Sequence, residues 1–567
     1  MKRLSILFLT VLTLSCQTPE KKPAITGLTA DQAMVVCAHP LAADVGVAIM
    51  KKGGNAVDAA VAVQLALAVV FPAAGNIGGG GFMVVRLWDG TTNTLDFREK
   101  APALASTNMY LDKDGNVIKG LSVSGHLASG VPGSVDGMLE AHKKYGKLPW
   151  KDLVQPAIDL ASNGFQLTER EARYIKSLHD DLIQYNTVRP DFLLKDWKAG
   201  DSIYWNDLSH TLERIRDEGR AGFYEGKTAE DIVAEMKRGK GLITAEDLKN
   251  YKSEWREPII AKYKSYNIIT MPPPSSGGIC LLQLLKSIEP YPVHEWGHNA
   301  ARTVHLMTEA ERWVYADRSK YFGDPDFFKV PVKELLDTNY IRSRMGIYND
   351  TAAAKSKDVL PGTIAGYESV ETTQISIVDP QGNAVSITTT LNEWAGNRVV
   401  VAGSGFLLND EMDDFSAKPG VPNIYGLLGG EGNKIEPGKR MLSAMTPTIV
   451  EHDGKLLMVL GSPGGARIIT AVFQVFLNVV EYNMGMQEAV DVKRLHSQWL
   501  PDAIFPEQGS LNSSDSLELV KMGHVIQPLK VLGAQSVGRV DAVLVLKNGK
   551  LEGGADHSRG DNTARGF

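Results

Sequence analysis

The sequence predicts an α+β protein, because a nearly all-apolar helix follows Asn55, the middle of the chain reads as helices, and the hydrophobic period switches to two from Thr372. At 567 residues the chain exceeds the size at which one hydrophobic core normally stops growing, so one large layered domain or two domains would accommodate it. Hydrophobic residues make up 43% and charged residues 22%, the balance of a chain that folds in water. The mature sequence carries no internal repeat or long low-complexity linker, which favours one intertwined unit.

Asn55 is an N-cap type residue, and the Ala-rich run to Val70 predicts a buried helix. It meets Gly75-Asn76-Ile77-Gly78-Gly79-Gly80-Gly81-Phe82. This run lacks the Lys-Ser/Thr ending of a phosphate-binding loop and opens a strand, Phe82 to Leu87, so it predicts a tight turn with backbone packed on backbone. Residues from about 130 to 350 read mainly as helices, broken by a loop at 272–278. From Thr372, Ile375 and Ile377 alternate with Gln374 and Ser376, and Asp379-Pro380-Gln381-Gly382-Asn383 supplies a turn. In the strand that follows, Val385, Ile387 and Thr389 share one face, and Ser386, Thr388 and Thr390 share the other.

A net charge of −6 gives no electrostatic footprint for nucleic acid. The 12 histidines are scattered without zinc spacing, so neither a metal nor another cofactor is expected. At the N-terminus, Lys2-Arg3 precedes an apolar run from Leu4 to Leu14, then Ser15-Cys16 and a polar stretch. This is an export signal too short to span a membrane. Its end resembles the lipobox of bacterial lipoproteins, in which the cysteine is acylated, although Thr13 stands where leucine is usual. The favoured expectation is a periplasmic lipoprotein held on the outer membrane through Cys16; a cleaved, freely secreted form is the alternative. Cys37 and Cys280 are too few for a disulfide framework and read as small buried apolar residues.

The stretch Glu371-Thr372-Thr373-Gln374-Ile375-Ser376-Ile377-Val378-Asp379 resembles the processing site of γ-glutamyltransferases (glutathione hydrolases), which are N-terminal nucleophile hydrolases. Further segments agree in order and spacing: Gly53 to Ala60, Leu95 to Pro102, Thr388 to Asn392, Leu408 to Phe415, Lys439 to Met445 and Gly461 to Arg467. The resemblance implies a four-layer αββα sandwich and autoproteolysis of the Glu371-Thr372 bond. Residues 1–16 would be the export signal, 17–371 the large subunit and 372–567 the small catalytic subunit, the two remaining associated as a heterodimer in one intertwined domain.

A threonine hydroxyl needs a base to accept its proton, and a freed α-amino group with a pKa of about 7.7 to 8 supplies one. Before cleavage that nitrogen is an amide, so processing and activity are coupled. By resemblance, Thr372 is the nucleophile, Thr390 orients it, and the N–H groups of Gly464 and Gly465 form the oxyanion hole. Arg98 and Ser443 would take the substrate α-carboxylate, while Asn392, Glu411 and Asp414 would hold its α-ammonium group. The segment from Pro419 to Arg440 resembles a lid, with Tyr425 as its aromatic residue.

The implied substrates are glutathione and other γ-glutamyl amides, with water, an amino acid or a dipeptide accepting the glutamyl group. One position departs from the family: Ala444 stands where a second serine is usual. A missing neutral hydrogen bond is worth about 0.5 to 1.5 kcal/mol, which weakens binding and keeps open a related acylase of different acyl specificity. A lipid-anchored binding protein with decayed catalytic machinery is the third reading, and it predicts an uncut chain.

Overall fold

The computed structural model describes residues 26–362, 373–418 and 431–567. Cys16, Glu371, Thr372 and Tyr425 lie outside them.

Two antiparallel seven-stranded sheets form the centre. The first runs Thr563–Gly566, Met34–Cys37, Thr373–Val378, Ala384–Thr390, Gly80–Arg86, Thr92–Asp96, Glu254–Arg256. The second runs Leu28–Ala30, Leu551–Ala555, Asp541–Val545, Lys455–Gly461, Thr448–His452, Tyr266–Thr270, Ile259–Tyr263. Strand alternation then builds the layers. Val85, Ile375, Ile377, Val385 and Ile387 share a core with the helices Pro40–Lys51 and Ala56–Val70. Ile268, Val450, Met458 and Leu460 share another with Gly277–Ile288, Ala301–Tyr321 and Arg467–Val480. The intervening residues Val84, Ile269, Ile449, Val459 and Val543 meet between the sheets. The result is the expected αββα sandwich.

Towards Thr373 the layer between the sheets turns polar. Gln374 Nε2 donates to Ser376 Oγ and Ser386 Oγ, each at 3.0 Å, and Thr388 Oγ1 donates to Gln374 Oε1 at 2.8 Å. Ser376 and Ser386 in turn donate to the carbonyls of Asp541 and Leu460 in the facing sheet. All four side chains are buried, and their mutual satisfaction fixes how the sheets meet at this end.

The helix after Asn55 carries a reciprocal capping box between Asn55 and Asp58 and is buried along its whole length. The middle of the chain is mainly helical, as expected, and it also supplies the strands Glu254–Arg256, Ile259–Tyr263 and Tyr266–Thr270, which the sequence reading did not single out. Their signal is weak because they are short edge or near-edge strands with polar residues interspersed. Cys37 and Cys280 are free and buried, as expected, and burial pushes both thiols up, Cys280 to about 12. No helix among the described residues is long and apolar enough to cross a membrane.

Candidate active site

The glycine run positions the end of the strand that carries Thr390. A Cβ on Gly79 would lie 2.0 Å from the carbonyl oxygen of Thr390, and one on Gly78 would lie 2.1 Å from that of Leu407, so backbone approaches backbone as the sequence predicts. Asn76 fixes the approach: its Nδ2 donates to Thr390 O at 2.7 Å, and its Oδ1 accepts from Gly79 N at 3.0 Å and Ser134 Oγ at 2.6 Å. Thr373 pairs with Thr389 and Gly80 with Thr390, so Thr390 ends its strand beside the start of the 373–378 strand. Thr390 Oγ1 accepts the N–H of Asn392 at 2.7 Å, closing a turn in which Asn392 adopts φ +78°. Asn392 Nδ2 donates to the carbonyl and carboxylate of Asp410 at 2.9 and 3.2 Å. That bond ties the strand end to the short 3₁₀ turn Glu411–Asp414.

Arg98 leaves the strand Thr92–Asp96 with its N–H held by Asp96 Oδ1 at 3.0 Å. Its fully buried guanidinium pairs through Nη2 with Asp414, and its Nη1 lies 2.5 Å from Glu411 Oε2 and 3.7 Å from Glu99 Oε2. Nε and Nη2 also donate to the carbonyls of Met441 and Leu442 at 3.3 and 3.2 Å. Three buried carboxyls thus surround one cation. Burial raises the pKa of Glu99, Glu411 and Asp414; Arg98 opposes this at all three, and the Glu411 charge adds to the rise at Glu99 and Asp414. Within the described residues, both Glu99 oxygens and Asp414 Oδ1 accept no hydrogen bond.

Ser443 is seated by the loop before the Gly277–Ile288 helix. Its N–H donates to Pro274 O at 3.0 Å, and its carbonyl accepts from Ser276 N and Oγ at 2.7 and 2.6 Å. Arg318 Nε donates to Ser276 Oγ at 2.8 Å, and Ser443 Oγ accepts the N–H of Met445 at 3.1 Å. Ala444 is buried among apolar neighbours.

Gly464 and Gly465 adopt φ +139° and +60°, both in the region that favours glycine. They end the loop before the helix Arg467–Val480, whose first turn closes through Arg467 N to Gly464 O at 3.1 Å and Ile468 N to Gly465 O at 3.0 Å. A helix N-terminus carries unpaired N–H groups and a partial positive charge, which suits developing negative charge. A Cβ on Gly464 would lie 3.0 Å from Gly538 Cα.

The structure therefore brings Arg98, Glu411 and Asp414 into contact and joins Asn392 and Thr390 to them through Asp410. Glu99 and Asn433 escaped the sequence reading. Asn433 Nδ2 donates to Asp414 O at 2.6 Å, and its Oδ1 accepts from Leu442 N at 3.0 Å. Asn433 is buried, so the C-terminal end of the expected lid segment forms part of the wall. The reading of scattered histidines also needs correction, because His305, Glu309 and His524 place ligand atoms within 4.8 Å of one another. His524 lies far along the chain from the other two. The His305 and His524 rings bond to each other at 2.7 Å and Arg312 Nη2 lies 3.3 Å from Glu309, which gives the group internal partners.

The family model described as "Gamma-glutamyltranspeptidase" matches residues 42–566. A relative from Pseudomonas sp. (strain A14) named "Glutathione hydrolase proenzyme" is 47% identical over 522 residues, covering 91% of this chain and 89% of its own. Among solved structures, cephalosporin acylase from Bacillus halodurans superposes with a TM-score of 0.84 at 26% identity, covering 98% of this chain and 99% of its own. A chain of Helicobacter pylori gamma-glutamyltranspeptidase superposes with a TM-score of 0.56 at 42% identity, covering 61% of this chain and 97% of its own.

Proposed function

Because the chain belongs to the gamma-glutamyltranspeptidase family, we propose that it is an autoprocessed γ-glutamyltransferase and glutathione hydrolase that cuts itself between Glu371 and Thr372 and then uses Thr372 as its nucleophile. The observation that carries this reading is the buried Arg98 cluster. An isolated ion pair does not need three carboxyls around one guanidinium; a site for an amino-acid head group does. The substrate ammonium would meet Asp414 Oδ1 and Glu99 and offset the excess negative charge. The α-carboxylate would meet the Ser443 hydroxyl and would share Arg98 Nη1 with Glu411, whose Oε2 lies 2.5 Å from it. Asn392 supports this wall by holding Asp410 beside Glu411.

In the proposed reaction the Thr372 hydroxyl attacks the γ-carbonyl while the Thr372 α-amine takes its proton. The oxyanion is met by the N–H groups of Gly464 and Gly465. The C–N bond then breaks, the leaving amine receives the proton, and a γ-glutamyl ester on Thr372 remains. Water or an amine opens that ester by the reverse proton path. Thr372 is bonded to Thr373, whose register partner is Thr389, so Thr390 is the hydroxyl proposed to orient it. Tyr425 is proposed to cover the pocket and slow hydrolysis of the ester.

Hydrogen-bonded strands lie on both sides of the proposed cut, including Cys37 with Ile375 and Thr270 with Thr448, which supports a large and a small subunit that stay associated. Export with a lipid anchor at Cys16, and hence a periplasmic location, is proposed on the N-terminal sequence alone.

An acylase of different specificity is the competing reading, favoured by the absence of a hydroxyl at Ala444. Steady-state hydrolysis of γ-glutamyl-p-nitroanilide and glutaryl-p-nitroanilide separates the two. The two substrates share the carboxylate and differ only in the α-ammonium group that the carboxyls of the Arg98 cluster would bind. Preference for the γ-glutamyl compound supports the proposal, and equal or reversed preference contradicts it.

A further inference from the structure

His305 and Glu309 lie one turn apart on the helix Ala301–Tyr321, so both project from one face. His524 reaches them from far along the chain. Gly523 stops the helix Ser513–Met522 at φ +100°, and the N–H of His524 donates to Leu519 O at 3.0 Å, which seats the residue at that helix end. All three side chains are buried, and their ligand atoms lie within 4.8 Å of one another.

The buried His496 shows the partners of an ordinary core histidine: it bonds the neutral side chains of Thr470 at 2.8 Å and Gln498 at 2.9 Å. His305 differs. Its Nε2 donates to the carbonyl of Asn349 at 2.7 Å, which in a neutral imidazole leaves Nδ1 as a bare lone pair. A backbone carbonyl on the far nitrogen is the usual support of a metal-ligating histidine. The lone pair faces Nε2 of His524 at 2.7 Å. Glu309 is held loosely, with Arg312 Nε and Nη2 at 3.3 Å from Oε1 and the N–H of Ala354 at 3.3 Å from Oε2. Arg312 also pairs with Asp502 and Ser356, so its charge is offset locally. Tyr348 packs on the His305 ring with centroids 5.3 Å apart, and its buried hydroxyl makes no hydrogen bond within the described residues.

We propose that His305 Nδ1, His524 Nε2 and the Glu309 carboxylate bind a divalent ion of the zinc type, with water in the fourth position. Two imidazoles and one carboxylate suit zinc, whereas calcium and magnesium take oxygen ligands. The ion would replace the hydrogen bond between the two rings, the His524 proton moving from Nε2 to Nδ1. Zinc–nitrogen distances of about 2.0 to 2.1 Å in a tetrahedral shell put the two nitrogens about 3.3 Å apart, so the rings part by about 0.6 Å on binding. The site does not depend on the γ-glutamyl reading. With the cut proposed before Thr372, however, His305 and Glu309 fall in the large chain and His524 in the small one, and the ion would join the two.

The test uses the full-length processed enzyme, stripped with a chelator and titrated with Zn²⁺ by calorimetry and with Co²⁺ by visible absorption. The site predicts one equivalent of zinc, with uptake weakened at least about 10-fold in His524→Gln and in Glu309→Gln. Cobalt should give the intense visible bands of a tetrahedral ion, and His524→Gln should lack them. An ion bound only by the folded pair stabilises it, so the two chains should separate at higher urea with zinc than with chelator. No saturable uptake, equal uptake in wild type and both variants, or a pale octahedral cobalt spectrum overturns the site. The wild-type cobalt spectrum decides the matter even where a variant fails to fold. An uncut wild-type chain that takes up one equivalent supports the site and contradicts only the cut.

Discussion

Arg98 Nη1 faces Glu411 Oε2 at 2.5 Å inside a fully buried site, and the same guanidinium also pairs with Asp414. One cation is shared by carboxyls that burial pushes towards protonation, so the site favours any ligand that brings a second positive charge.

Arg98→Lys keeps the charge but loses the planar fork that reaches Asp414, Met441 O and Leu442 O together. The γ-glutamyl KM should rise about 10- to 100-fold in steady-state assays. For Asp414, burial is the leading cause of the raised pKa, so the carboxyl gains its proton at a higher pH than the ordinary 3.8. Protonation would remove the partner proposed for the substrate ammonium. The wild-type KM should therefore worsen on acidification at a pH above 3.8, and Asp414→Asn should flatten that limb of the profile.

Gly464→Ala places a methyl at φ +139° and within 3.0 Å of Gly538 Cα. Displacing an oxyanion donor typically lowers kcat about 10²- to 10³-fold. Single-turnover release of p-nitroaniline is the measurement, with acylation slowed more than substrate binding.

Thr390→Ala removes the acceptor for the Asn392 N–H and the hydroxyl beside the start of the 373–378 strand. Autoprocessing should slow markedly in a gel-resolved time course, whereas Thr390→Ser should retain most of the rate because it keeps the oxygen.

Two buried histidines predict a stability limb in acid. Burial is the leading cause that lowers both His496 and His524 from 6.5 to about 3; neighbouring Arg467 adds to the effect at His496, and His305 adds to it at His524. Both remain neutral in the fold while the unfolded chain binds protons below pH 6.5. Stability is therefore lost as pH falls from 6.5 towards 3, at up to about 1.4 kcal/mol per pH unit for each histidine. Urea denaturation of His524→Gln against wild type should show a shallower acid limb, the difference between the two vanishing in slope above pH 7.

The legible parts of the molecule were those governed by local rules. Asn55 capped its helix as its residue type predicted, and the alternation along Ala384–Thr390 placed Ile387 in the helix-facing core and Thr388 in the polar layer between the sheets. Gly464 and Gly465 stood out by their resemblance to the family motif, and their positive φ gives the physical reason for glycine at both positions. Contacts between distant segments were not legible. Glu99 adjoins Arg98 in sequence but reads as an ordinary charge until burial is known, and Asn433 reaches Asp414 only after the chain returns through the wall. The pairing of His305 with His524 joins a helix to a loop 219 residues away, which no local pattern signals. The edge strands Glu254–Arg256 and Ile259–Tyr263 were hidden because their residues are half exposed and lack clean alternation.

The central claim is a nucleophile created by cleavage before Thr372, and intact mass spectrometry with N-terminal sequencing of wild type beside Thr372→Ala tests it most directly. The account predicts two wild-type chains, the smaller beginning Thr372-Thr373-Gln374, and a single uncut mutant chain without γ-glutamyl turnover. A wild-type chain that stays whole, or a mutant that is cut and active like wild type, would contradict it.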